Sequence, residues 1–409
     1  MDAIARTAKS EVWFISALGL GQICAWGTLY YSYPLIVEAM MPELGWSRTQ
    51  AYGPATAGLV VAAVLTYPVG VAVDRGHGRS VMAGCSLLAA LLFLLWSQVE
   101  TYTAFYLVAT ALGALQACTL YEPAFAVLAR RVGASGARAG VTQITLWGGF
   151  ASTAFIPLVQ FFIDAHGWRG ALLLLAVINL LLCAVYLVCI RPDYDLGSVD
   201  AASTVGRQRD RAVLRVTVRR SVFWLLLLAM VAYAAAFSAF TFHMYPLLLE
   251  GELKVTEVVW ALALIGPAQV GGRVVVSLFA RRSSMRRVGS ITVAVLPPVF
   301  FFLLFFRDDF ATVAVLCCLY GAANGIFTIV RSLVIPEMLT PHAYGALNGL
   351  INLPATLARA IAPWATAVLW SITHSYTPVL WVIGATCVLM ALAFWLAAYR
   401  SLREPGIHA

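Results

Sequence analysis

The sequence predicts an all-α, polytopic membrane protein with twelve transmembrane helices in two six-helix halves. Three observations carry that prediction. Of 409 residues, 61% are hydrophobic and only 11% are charged, less than half the roughly 25% of a soluble domain. The apolar residues come in unbroken runs of about 20, the length that crosses a hydrocarbon core, and do not alternate over about 10 as barrel strands do. One long polar stretch, 191–220, divides these runs into six and six.

The first run, from Val12 to about Met40, is too long for a cleaved signal and lacks a small-residue processing site, so it is expected to be the first span. Further spans are expected at 51–73, 81–98, 102–128, 140–163 and 170–190, then at 221–249, 257–280, 288–306, 310–336, 344–370 and 377–399. Residues 1–190 and 221–409 thus form the two bundles. The intervening 191–220 carries Asp193, Asp195, Asp200 and seven arginines and is expected to be a cytoplasmic linker.

Basic residues fix the orientation. Twenty fall in segments on the side of the termini, and four (Arg48, Arg169, Lys254 and Arg307) fall in the opposite loops. Because basic residues resist translocation, both termini are expected in the cytoplasm. Only Lys9 and Lys254 are lysines, an arginine bias expected of a GC-rich bacterium and hence of a bacterial inner membrane. The net charge of +8 is thereby accounted for by inner loops, with no nucleic-acid surface. The eight cysteines all lie in apolar runs without CxxC or Cys/His ligand spacing, so they are expected as small buried hydrophobes with no metal and no cofactor.

The halves echo each other. Tyr33-Pro34-Leu35-Ile36-Val37-Glu38 is matched by Tyr245-Pro246-Leu247-Leu248-Leu249-Glu250 at an offset of 212, and Gly53, Pro54 and Gly58 by Gly266, Pro267 and Gly271 at 213. Two blocks nearly in register indicate duplication, and parallel six-helix repeats are a transporter architecture.

After span 2 the chain runs Gly70-Val71-Ala72-Val73-Asp74-Arg75-Gly76-His77-Gly78-Arg79. This resembles the loop signature of the major facilitator superfamily: Gly, then Asp four residues later, then two basic residues around a tight turn. His77 departs from it, standing where that family usually has Gly. The resemblance implies a gating latch on the cytoplasmic face in which Asp74, flanked by Arg75 and Arg79, accepts charge-assisted hydrogen bonds and sits at a helix N-terminus. The corresponding second-half loop, with Arg281, Arg282, Arg286 and Arg287, has no acid, so the latch is expected to be one-sided.

Function is sought among ionisable residues within spans, each of which costs about 2.5–3.5 kcal/mol unless it faces protein or water. Four qualify: Glu122, Arg273, Arg331 and Arg359. One glutamate cannot neutralise three arginines, so a cavity carrying this surplus favours an anion. Arg331 has an alternative role, pairing with Glu122 to lock the halves, and Arg359 one in packing or snorkelling. Arg273 follows Gln269 by four residues on one helix face, with Gly271 and Gly272 between them. Its planar guanidinium suits a carboxylate. This arrangement, with the Gly45-Trp46-Ser47-Arg48 entry to span 2, resembles the monocarboxylate transporter and oxalate-formate antiporter-like branch of the superfamily, whose members carry an acid and an arginine one turn apart in span 8. The resemblance implies substrate binding by Arg273. The acid is replaced by Gln269, and span 1 lacks the intramembrane lysine of animal members, so a proton route must lie elsewhere.

Glu122, between Tyr121 and Pro123, and His243, the single histidine within a span, are the candidate proton carriers; for His243 a hydrogen-bonded structural role is the competing reading. Tyr30, Tyr121, His243, Arg331 and Arg359 join Arg273 and Gln269 as candidate substrate contacts, and Tyr245 as a gate at the outer mouth. Tyr30 and its neighbours Tyr31 and Tyr33 have packing or an interfacial belt as the alternative. No GxSxG, HExxH or phosphate-binding GxxxxGK[ST] occurs, so no enzyme is expected. The expected function is secondary active, proton-coupled transport of a small organic anion by alternating access, by a functional monomer embedded in lipid. The runner-up is efflux of drugs, metabolites or a toxic oxyanion such as an arsenical. The contrasting class is a transport-inactive sensor or scaffold, in which the arginines would be dispensable.

Overall fold

The computed structural model describes residues 2–191, 213–279, 283–340 and 344–403, with the side chains of 2–11, 133–139, 279 and 344–346 excepted. The described residues are overwhelmingly helical. They divide into two compact units, Met1–Asp200 and Ala201–Ala409. Most of the expected linker, 192–212, lies outside the described residues, as do Arg281 and Arg282; residues 213–218 are helical.

Unit 1 begins with α1 (Asp2–Trp26), which runs through a π-helical turn, Gly27–Tyr31, into α2 (Ser32–Leu44). Then come α3 (Arg48–Ala72), α4 (Gly78–Ser97), α5 (Tyr102–Thr119), α6 (Tyr121–Gly148) and α7 (Ala151–Cys189). Ser47 opens α3 with a reciprocal capping box to Gln50. Unit 2 comprises α8 (Ser221–Leu249), α9 (Val255–Ala263), α10 (Ile265–Phe279), α11 (Met285–Phe305), α12 (Phe310–Met338), α13 (Tyr344–Thr373) and α14 (Thr377–Arg403).

Among the described residues nine helical segments are long and apolar enough to cross a membrane. Two of them, Arg48–Ser97 and Gly140–Cys189, are 50 residues long, about 75 Å if straight and more than twice a hydrocarbon core. Each contains a glycine with positive φ, Gly76 (88°) or Gly167 (69°), where the chain breaks into two helices. Only glycine takes such positive φ at no steric cost, which is how helices end here without a long loop. The expected span 344–370 lies within α13, which is not among the nine; Arg359, Asn352 and two prolines dilute its apolar character.

Two boundaries differ from the sequence expectation. The span placed at 102–128 is interrupted at Leu120, which is extended (ψ −155°), because Pro123 has no N–H to carry the helix of α5 through. The loop expected after residue 128 falls within the bounds of α6. Even so, the Leu128 side chain lies against Gly140, a residue about 18 Å away in a straight helix, so the chain turns back within this segment.

The same packing plan recurs in both units. In unit 1, α3 packs on α5, α4 on α7 and α5, and α1 on α6 and α7. In unit 2, α10 packs on α12, α11 on α14 and α12, and α8 on α13 and α14. The α3–α5 crossing brings the Gly58 and Gly113 backbones together, so that a Cβ on Gly58 would stand 2.7 Å from the Gly113 Cα. At the α10–α12 crossing Gly272 lies against Ala322 and Gly325 against the Gln269 carbonyl. Small residues permit this approach where no hydrophobic force drives helices together in lipid. Both matched acids are in ion pairs, though with arginines at different places in the repeat: Glu38 with Arg48 at 2.8 Å, and Glu250 with Arg307 at 3.4 Å.

Candidate functional site

The cationic centre of unit 2 is assembled from four helices. Arg273 on α10 is buried (6% exposed), and its Nε donates to the Gly325 carbonyl at 3.4 Å. Gln269, one turn earlier, is likewise buried and abuts Gly325 through its main chain. Facing α12, Tyr233 of α8 donates its hydroxyl hydrogen bond to Asn324 Oδ1 and packs its ring 4.5 Å from that of Phe327. Thr328 Oγ1 donates to the Asn324 carbonyl at 2.9 Å and holds that turn. With its oxygen occupied, the Asn324 amide has N–H groups to offer.

Arg331 on α12 and Arg359 on α13 are the other arginines on the helices of this centre. Arg331 is exposed and Arg359 half-buried. Helices α8, α10 and α13 contain no aspartate or glutamate, and α12 has only Glu337. The Glu337 carboxylate accepts the main-chain N–H groups of Met285 at 2.7 Å and Arg286 at 3.3 Å, and so caps α11. These four helices therefore carry three arginines and a single glutamate, which caps α11. Tyr233 and Asn324 were not singled out from the sequence; the available signal was an amide within the apolar run Gly321-Ala322-Ala323-Asn324-Gly325.

His243 lies apart from this centre in its hydrogen bonding. It is wholly buried, with Nε2 2.8 Å from the Pro363 carbonyl and Nδ1 2.9 Å from the Tyr376 hydroxyl. A carbonyl only accepts, so Nε2 carries a proton, while Nδ1 shares a hydrogen bond with a hydroxyl that can either donate or accept. The two contacts tie α8 to α13 and to the residue before α14. Tyr245 is buried within unit 2.

Unit 1 has an aromatic cluster instead. Tyr121, at the start of α6, stacks on Phe125 at 5.2 Å and lies 5.2 Å from Trp26. Tyr30, in the π-helical turn, meets Trp26 edge-on at 5.2 Å and Tyr31 at 5.6 Å. Glu122 projects beside Tyr121 as an exposed carboxylate in the first turn of α6. In the latch motif, Gly76 adopts the positive φ, so His77 leaves the turn intact at φ −87°. Asp74 and Arg75 are exposed and Arg79 half-buried. Arg130 donates to the Asp74 main-chain carbonyl.

A duplicated set of helices long and apolar enough to cross a membrane, packed closely through small residues and carrying a buried arginine in unit 2, is the architecture of a multi-pass membrane protein. The sequence profile of the Major Facilitator Superfamily matches residues 18–363, and the chain belongs to that family. Monocarboxylate transporter 13 of Rattus norvegicus is 26% identical over 387 residues, 92% of this chain and 84% of the relative. Monocarboxylate transporter 4 of the same organism is 22% identical over 397 residues, 90% and 80% of the two chains. These matches place the chain in the monocarboxylate-transporter-like branch. Among solved structures, the nucleoside transporter NupG aligns with a TM-score of 0.76 at 14% identity, over 96% of this chain and 99% of that one. A bacterial homolog of the human lysosomal transporter Spinster, inward-facing and occupied, aligns at 0.72 and 12%, over 97% and 99%. At these identities the two structures show the shared fold alone.

Proposed function

We propose that the protein is a proton-coupled secondary transporter of a small, monocarboxylate-like organic anion, working by alternating access. The observation that carries this reading is Arg273, a guanidinium buried within α10 and held at the Gly325 carbonyl, in helices almost free of acids, with Arg331 and Arg359 on the neighbouring α12 and α13. Such charges in a membrane protein call for a counter-charge, and a substrate carboxylate supplies one. Arg273 is the primary contact: its fork is held by the Gly325 carbonyl and oriented above Gln269. Tyr233 and Asn324 add neutral hydrogen-bonding groups beside it. The relatives that match along most of the chain are named as monocarboxylate transporters, which favours this substrate class.

Glu122 is the proton carrier in this scheme. It is an ionisable carboxyl in a span, exposed beside an aromatic cluster, and Gln269 cannot perform that role. The charge bias of the loops supports both termini inside, and the preponderance of arginine over lysine a bacterial inner membrane. The test is uptake of labelled monocarboxylates into proteoliposomes under imposed pH and voltage gradients. Arg273→Ala should abolish uptake while the protein still inserts and elutes as a folded species; near-normal uptake would remove Arg273 from the site.

A further inference from the structure

Helices α13 and α14 each pack extensively on α8 but only slightly on one another. Between them remains a groove of about 320 Å³, floored by Ala235, Ala236 and Ala239 of α8. The repeat shows that this space is particular to unit 2. Gly27, which matches Ala239 at the 212-residue offset, is covered in unit 1 by the ring of Phe155.

The groove has no polar group to offer a ligand. Its two hydroxyls are returned to their own helices, Thr366 Oγ1 to the Ala362 carbonyl at 2.8 Å and Thr386 Oγ1 to the Val382 carbonyl at 2.7 Å. Its rim residues Ile361 and Val382 are 49% and 54% exposed, so it is continuous with the surface this multi-pass protein presents to hydrocarbon. Along α13 it extends from Ala358 to Leu369, roughly 16 Å of helix. That is about half of a hydrocarbon core, or the depth of one leaflet. It lies at the end of the unit bearing the α13–α14 turn.

We propose that this groove is a lipid-tail site, in which one acyl chain of a membrane phospholipid from that leaflet lies on the alanine floor between α13 and α14. Dispersion contacts to the floor replace the side-chain packing that α13 and α14 do not make with each other.

The test uses full-length protein reconstituted with phosphatidylcholine carrying a diazirine near the end of one acyl chain, with cross-linked peptides located by mass spectrometry. Labelling of 235–239, 358–369 and 379–386 should exceed that of the ordinary lipid-facing patch Leu87, Leu88 and Leu91 on α4, all well exposed. Ala239→Leu, which fills the floor, and Ala365→Leu, at the exposed rim, should each lower groove labelling to the α4 level and leave α4 labelling unchanged. If Ala239→Leu does not fold, the rim variant decides. Wild-type labelling no greater than that of α4, or labelling unmoved by filling in a folded variant, would overturn the proposal.

Discussion

Replacing His243 with Phe distinguishes a structural clamp from a proton carrier, because the ring volume is roughly kept while both hydrogen bonds are lost. The Tyr376 hydroxyl and the Pro363 carbonyl each lose a partner that now stands 2.9 or 2.8 Å away. Side-chain hydrogen bonds in a membrane protein average about 0.6 kcal/mol, whereas a buried group left unsatisfied costs about 1–3 kcal/mol. Two groups together therefore predict a loss of about 1–6 kcal/mol. Thermal unfolding in detergent with a thiol-reactive dye would measure it, since Cys317 and Cys387 are 2% and 1% exposed and react only once unit 2 opens. The expected result is a lower midpoint with the pH profile of residual transport unchanged. An unchanged midpoint with a lost pH response would refute the clamp and return His243 to the proton route.

Further outcomes follow from other contacts. Glu122→Gln should impair proton-driven uptake more than substrate exchange; an unchanged pH dependence would count against Glu122 as carrier. Tyr233→Phe removes one neutral hydrogen bond, worth about 0.5–1.5 kcal/mol, and should raise the KM for the anion by roughly 2- to 13-fold with expression unaltered. Gly325→Ala drives a methyl group into the Gln269 carbonyl and should cost about 1–3 kcal/mol of stability, measurable by the same thiol assay. Hydrogen bonds from the Thr312 hydroxyl and amide hold the Asp309 carboxyl below its usual range at the start of α12. That cap is fully present at neutral pH and is lost as pH falls through the lowered value. Protection of the Thr312 amide against exchange should therefore be lost only below the ordinary aspartate range, and Asp309→Ala should remove that protection at neutral pH.

Much of the architecture was legible because lipid leaves few choices for a backbone: apolar runs of sufficient length become helices. The Glu38 and Glu250 blocks, 212 residues apart, announced the duplication, and the packing of α3 on α5 and of α10 on α12 repeats it in three dimensions. Fine breaks were less legible. Leu120 follows a run as apolar as any other, and only Pro123 marks the interruption. At the candidate site the arginines stood out by their charge, whereas Tyr233 and Asn324 are uncharged residues whose importance depends on α8 meeting α12. His243 shows the converse: its chemistry suggested titration, but its two partners come from Pro363 and Tyr376, more than a hundred residues away.

The backbone-to-backbone crossings at Gly58 and Gly113, and at Gln269 and Gly325, have a consequence for how the protein can diversify. Where main chain meets main chain, no rotamer can yield and no larger residue can be tolerated. Selection for a bulkier cargo would therefore be steered away from these seams, toward positions such as Tyr233 whose side chains can be traded without prising helices apart.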